Sequence, residues 1–172
     1  MKNFISFILV AISINLTAQE VDDRGYVVRV GQRAPQFEFH LLSGDTITNG
    51  VLKGKVVVLQ FTASWCGVCR KEMPALESEV WQRFKDKDFL LIGLDLKEDE
   101  LMAKQFAETM GVTYPMASDL EGKLFELFAG SKQGVTRNVV LNKNGEIIFL
   151  TRLYERDEFE EMILVIDEEL KK

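Results

Sequence analysis

The sequence predicts an α/β domain: a mixed central β-sheet with helices on both faces, and a β-hairpin on its N-terminal side. Three observations carry this. Apolar runs at 56–61 and 89–94 are each followed by a helical pattern, which is how a β-α-β unit with parallel strands reads. Later, Val139-Val140-Leu141 and Ile147-Ile148-Phe149-Leu150 flank Asn142-Lys143-Asn144-Gly145, a strong antiparallel hairpin signature. A helix added after that hairpin leaves a mixed sheet covered on both sides.

The elements follow in order. Residues 19–30 read as a polar leader without clear periodicity. Phe37 and Phe39 alternate with polar neighbours, so an edge strand is expected there. Ser43-Gly44-Asp45 is a turn signal, and Thr46-Ile47-Thr48 returns as the second strand of a hairpin. His40 has no partner in sequence and reads as a surface histidine. Lys53-Gly54-Lys55 leads into the first buried strand. A helix is then expected to about Phe84, with Leu76, Val80 and Phe84 inward and a kink at Pro74.

Phe89 to Asp95 reads as the second buried strand. A helix over 98–110 should turn Leu101, Phe106 and Met110 inward and stop at Gly111. Tyr114-Pro115-Met116 is an extended piece, and 120–129 a short helix with Leu124, Phe125 and Phe128 apolar. After the late hairpin, residues 157–170 form a helix striped by Phe159, Met162, Ile163, Ile166 and Leu170. At 172 residues, with no internal repeat or linker, one domain is expected.

The chain has two cysteines, in the run Trp65-Cys66-Gly67-Val68-Cys69. They sit where the first buried strand hands over to a helix. A cysteine at a helix N-terminus faces unpaired N–H groups and the positive end of the dipole, which stabilise a thiolate. The C-x-x-C arrangement acts in the same direction, and the thiolate is the attacking species in disulfide exchange. Cys66, at the exposed end, is therefore the expected nucleophile, and Cys69 resolves a mixed disulfide. Structural zinc wants four ligands, and one cysteine pair with one histidine does not supply them. Haem attachment would need a histidine after the second cysteine, where Arg70 stands. A purely structural disulfide would close too small a loop to stabilise much. No metal and no cofactor are expected.

The N-terminus carries an address. Lys2 precedes an apolar run over 4–14, and Leu16-Thr17-Ala18 ends in a small residue. This reads as a cleaved signal peptide, residues 1–18, with an uncleaved membrane anchor as the alternative. Export would place the cysteines where disulfides form and persist. The full chain has a formal net charge of −6, which argues against nucleic acid and anionic membrane surfaces as partners.

Several motifs combine into a family resemblance: Gly31-Gln32-Arg33-Ala34-Pro35-Gln36-Phe37, the W-C-x-x-C after a buried strand, Pro74 five residues past Cys69, and 135–145. From about Val30 onward the chain resembles the thioredoxin-like thiol–disulfide oxidoreductases of the bacterial envelope, the TlpA/ResA-type branch of the AhpC/TSA–redoxin superfamily. The resemblance implies a thioredoxin-like domain over 31–172 and a periplasmic protein that reduces protein disulfides through Cys66 and Cys69. It implies an active-site surround of Trp65, Gly67, Val68, Pro74, Val135 and Thr136. Its implied partners are disulfide-containing client proteins, cytochrome apoproteins among them, and a membrane thiol-transfer electron donor. A monomer is expected.

Two departures stand out. Thr136 replaces the cis-proline usual in the family before the late strand. A cis bond before a non-proline residue costs about 2.5–4 kcal/mol, so the isomer at Val135-Thr136 is left open. The Thr136 hydroxyl or N–H is expected to donate toward the Cys66 thiolate. Gln60 stands where thioredoxin has a buried aspartate. Asp95, Glu98 and Asp99 are the candidate replacement proton acceptors, Asp95 and Glu98 foremost. A peroxiredoxin-like thiol peroxidase is an alternative, although Leu59 and Ala63 occupy the positions of that family's proline and threonine. A non-catalytic thioredoxin-like binding module is the other.

Overall fold

The computed structural model describes residues 21–172, so the expected signal peptide and its Ala18 cleavage site lie outside the described residues. The hairpin is β1 (Glu38–His40) paired antiparallel with β2 (Thr46–Thr48). The central sheet has five strands: β3 (Val56–Thr62), β4 (Phe89–Leu96), β5 (Met116–Asp119), β6 (Arg137–Leu141) and β7 (Ile147–Arg152). Their order is β5-β4-β3-β6-β7. β4 runs parallel to β3 and to β5, while β6 and β7 are antiparallel additions. This is the mixed sheet the sequence predicts.

Every residue of β3 is buried, because the strand is central and both its faces are covered. Val57, Leu59 and Phe61 belong to one apolar cluster, with Phe37, Phe125 and Phe128. Val56 and Val58 belong to the other, with Met73, Leu76, Phe106 and Phe159. Gln60 and Thr62 continue this second face as polar residues. The alternation places them under the helix that follows the cysteines.

That helix is α1 (Gly67–Ala75), continued by a wide π-turn at Leu76–Trp81 and by α2 (Gln82–Phe84). Pro74 supplies no N–H and crowds the carbonyl of Arg70. The widened turns just after it are where the regular ladder gives way. Leu76, Val80 and Phe84 are all fully buried, as the pattern predicts.

Helix α3 (Glu100–Met110) starts two residues later than expected, because Asp99 caps it: its carboxylate accepts the Met102 N–H at 2.8 Å. Gly111 closes it in the left-handed conformation, φ 66°. The expectation for Leu101 is corrected, since it is 65% exposed while Ala103 and Phe106 are buried. Five residues separate Leu101 from Phe106, which turns them to different sides of a 3.6-residue helix. The helix expected at 120–129 shrinks to α4 (Lys123–Glu126), after Gly122 in the left-handed region. Phe125 and Phe128 still face the core. Helix α5 (Arg156–Leu170) buries Phe159, Met162, Ile163 and Ile166 against the sheet.

The packed chain begins before the expected boundary at 31. Tyr26 and Val28 are buried, and Tyr26 forms a bridge with Ala129. The Tyr26 hydroxyl donates to the Thr151 carbonyl at 2.5 Å. No helix among the described residues is long and apolar enough to cross a membrane.

Candidate active site

Cys66 is the N-cap of α1, with extended backbone (φ −90°, ψ 108°), and its Sγ accepts the Cys69 N–H at 3.1 Å. Cys66 and Cys69 are joined as a disulfide with Cα atoms 5.3 Å apart. Cys66 retains 7% exposure, and Cys69 is fully buried. The two sulfurs therefore differ in the expected sense. The outer one meets solvent and the helix end, and the inner one sits in the core. On reduction, the N–H that caps through Cys66 remains placed to stabilise its thiolate.

The preceding loop is held from two sides. The Glu98 carboxylate accepts the Ser64 N–H at 2.7 Å and the Ser64 hydroxyl at 2.5 Å. The Arg70 Nε donates to the Ser64 carbonyl at 2.8 Å, and its guanidinium lies 5.2 Å from the centre of the Phe106 ring. Trp65, next in the chain, is 61% exposed. Val68 is half-buried and Gly67 exposed. Pro74 lies inside α1, five residues past Cys69, and is exposed. Val135 shares the buried apolar cluster of Cys66 and Cys69. The Val135-Thr136 peptide bond is cis.

Thr136 is fully buried, but its hydroxyl does not point where the sequence suggested. It donates to Glu72 Oε2 at 2.5 Å and lies 3.3 Å from the Phe61 carbonyl. Glu72 is the residue of this site that sequence reasoning missed. It follows Cys69 by three positions on α1, so both project from the inner face of the helix. Its carboxylate collects three donors: Thr136, Asn138 Nδ2 at 2.7 Å and Gln60 Nε2 at 3.3 Å. Gln60 Oε1 in turn accepts the Tyr114 hydroxyl at 2.9 Å. Gln60, at the position of thioredoxin's aspartate, is thus one hydrogen bond away from a carboxyl supplied by the helix.

Burial pushes the Glu72 carboxyl up to about 7, against the pull of its three donors. A buried acid that titrates near neutrality beside a dithiol is suited to move protons. The signal was present in the sequence: a glutamate on the apolar face of an amphipathic run, one turn after Cys69.

The candidate acceptors Asp95 and Glu98 occupy different stations. Asp95 is fully buried at the end of β4, opposite Thr62, and neither carboxyl oxygen has a hydrogen-bond partner. Burial first, then the neighbouring Glu98 carboxylate, push Asp95 up to about 8. Glu98 raises it both by a carboxyl–carboxyl contact, which favours a proton held between the two groups, and by its negative charge. Asp99 is taken up as the cap of α3. No group of three or more metal-ligating side chains occurs among the described residues.

Because the Thr136 hydroxyl serves Glu72, Thr136→Val should raise the Glu72 titration point further. It should also lower stability by about 1.5–3 kcal/mol, the worth of a bond to a charged group. Carboxyl titration followed by NMR, beside urea unfolding, checks both effects. A Cys66 pKa that moved while Glu72 stayed put would restore the direct contact with the thiolate.

Comparison with known proteins agrees with this geometry. Residues 30–150 match the AhpC/TSA family. A thiol–disulfide oxidoreductase ResA of Oceanobacillus iheyensis is 29% identical over 150 residues, covering 85% of this chain and 77% of that protein. The ResA of Bacillus thuringiensis is 31% identical over 121 residues, 70% and 68% of the two chains. The solution structure of a candidate protein disulfide isomerase from Bacteroides thetaiotaomicron superimposes with a TM-score of 0.83 at 47% identity, covering 86% of this chain and 94% of that one. At 23% identity and a TM-score of 0.68, a thiol:disulfide interchange protein DsbE candidate from Chlorobium tepidum shares the fold.

Proposed function

The chain belongs to the AhpC/TSA family as a thioredoxin-like thiol–disulfide oxidoreductase of the TlpA/ResA type, and from that premise we propose that it reduces protein disulfides in the cell envelope. The observation that carries the assignment of roles is the inequality of the two sulfurs, one at the partly exposed cap of α1 and one fully buried on the helix face that also carries Glu72.

The chemistry balances as a two-electron exchange. The Cys66 thiolate attacks one sulfur of a client disulfide, forming a mixed disulfide and expelling a client thiolate. The Cys69 thiol gives its proton to the Glu72 carboxylate and attacks Cys66 Sγ. The Cys66–Cys69 bond closes and the second client thiolate leaves. The client gains two electrons, and an external dithiol donor returns the pair to the reduced state. The roles of the surrounding residues follow from their placement. Glu98 and Arg70 fix Ser64 and the loop carrying Trp65, while Val135 belongs to the buried apolar cluster that holds both cysteines. The apolar run at 4–14 supports export, and the resemblance to ResA supports an envelope donor and cytochrome apoprotein clients.

Insulin reduction assayed beside hydrogen peroxide turnover tests this proposal. The dithiol form should precipitate insulin B chains catalytically and leave peroxide essentially untouched. Peroxide turnover without insulin reduction would replace the proposal with a peroxidase. Inactivity in both would leave a binding module.

A further inference from the structure

An open groove of about 750 Å³ is walled by β1, the start of α3 and the turn between β5 and α4. We propose that this groove is the client-docking surface, and that it selects a cationic polypeptide segment carrying large apolar side chains next to its disulfide. This deepens the proposed function and rests on it.

Three observations point to that occupant. First, the groove is joined to the cysteine loop. Glu98, the residue before the Asp99 cap, holds Ser64 by two hydrogen bonds, and its own carbonyl accepts the Ser118 hydroxyl at 2.5 Å. Glu98 thereby ties the groove's wall at Ser118 and Asp99 to the loop that carries Trp65 and Cys66. Second, two leucines stand out of the fold at its rim, Leu101 at 65% exposure and Leu120 at 59%, with buried Phe39 behind them. Exposed leucines converging on one depression offer apolar contact that the chain itself does not use.

Third, the groove is acidic. The carboxylates of Glu38 and Glu100 make no ion pair or hydrogen bond among the described residues. The Asp99 side chain lines the groove while accepting the Met102 N–H as the cap of α3. The lysine of the lining, Lys123, is already paired with Glu121. A positive segment would meet uncompensated negative charge at the rim and apolar surface between, which favours both encounter and register. An acidic segment would be repelled.

The experiment uses the exported chain and short peptides with one internal disulfide, flanked by alternating Lys-Leu or by alternating Glu-Leu. The ratio of kcat/KM for the two should favour the Lys-Leu peptide about tenfold at low ionic strength and fall to within about twofold in 1 M salt. The double variant Glu38→Lys, Glu100→Lys should abolish or invert that ratio. Leu101→Ser with Leu120→Ser should raise KM for the Lys-Leu peptide about fivefold with kcat held. Fluorescence anisotropy with the same peptides, their cysteines replaced by serine, reads docking without redox chemistry and should give the same order of affinity.

Equal rates and affinities for the two peptides, or a preference that survives the charge reversal, would overturn the proposal. Hydroxyethyl disulfide, which has no flanking sequence, reads the cysteine chemistry alone. If the wild-type protein fails to reduce it yet still binds the Lys-Leu serine peptide preferentially, the reductase reading falls and the groove stands.

Discussion

Cys66→Ser protein should reduce insulin at least about a thousandfold more slowly than the wild type, while unfolding at nearly the same denaturant concentration as the reduced wild type. The two halves of this expectation have separate causes. Rate is lost because serine offers no thiolate and forms no mixed disulfide. Stability is kept because Cys66 is the N-cap of α1, and serine is a preferred residue there. Its hydroxyl can accept the Cys69 N–H in place of the sulfur. The disulfide itself closes a loop too short to contribute much chain entropy. Insulin turnover and urea unfolding on the same preparation check both halves. Residual activity above one-tenth of wild type would mean that Cys69 can start the reaction.

Glu72→Ala should destabilise the fold by about 3–5 kcal/mol, because three buried donors lose their acceptor at once and the side-chain volume is left empty. Glu72→Gln separates charge from volume. In the wild type, the folded state holds the Glu72 proton up to about 7, against an ordinary value of 4.5. A carboxyl raised in the folded state contributes stability that is fully present below the ordinary value and is lost as pH rises through the folded one. For Glu72 that is about 3 kcal/mol between those limits. Asp95, raised from 3.8 to about 8, acts with the same sign.

The unfolding free energy of the wild type should therefore fall as pH rises from about 5 to 8, and less steeply in Glu72→Gln. Resolution of the mixed disulfide should rise through about pH 7 in the wild type as Glu72 becomes a base. That step should vanish in Glu72→Gln. A stability profile and a resolution rate that matched the wild type at every pH would remove Glu72 from the mechanism.

Much of this was legible beforehand for a physical reason. The strands β3 and β4 are buried on both faces, so their apolar runs are continuous. The hairpin of β6 and β7 announces itself by its turn, and Gly111 marks the end of α3 by its left-handed φ. The cysteine pair was legible because spacing and strand-to-helix position carry the chemistry locally. What escaped was non-local. Glu72 reads as one more charged residue on a helix until Gln60, Thr136 and Asn138 converge on it from β3, the loop before β6 and β6. Thr136 was placed beside the cysteines by its position in the motif, but the direction of its hydroxyl depends on that same carboxylate. Leu101 reads as part of the apolar stripe with Phe106, but the five-residue step between them turns it outward while Ala103 and Phe106 face the core. Tyr26 and Val28 lie in a segment without period, and only tertiary packing reveals them as core.

The division of labour between the two cysteines is tested most directly by trapping. Cys69→Ser protein, reduced and mixed with a disulfide-bonded client, should accumulate a covalent adduct whose tryptic peptide places the client cysteine on Cys66. Cys66→Ser protein under the same conditions should give almost none, because the remaining thiol is fully buried. Adduct formation on Cys69 that equalled or outpaced that on Cys66 would contradict the assignment of attack to the capping sulfur.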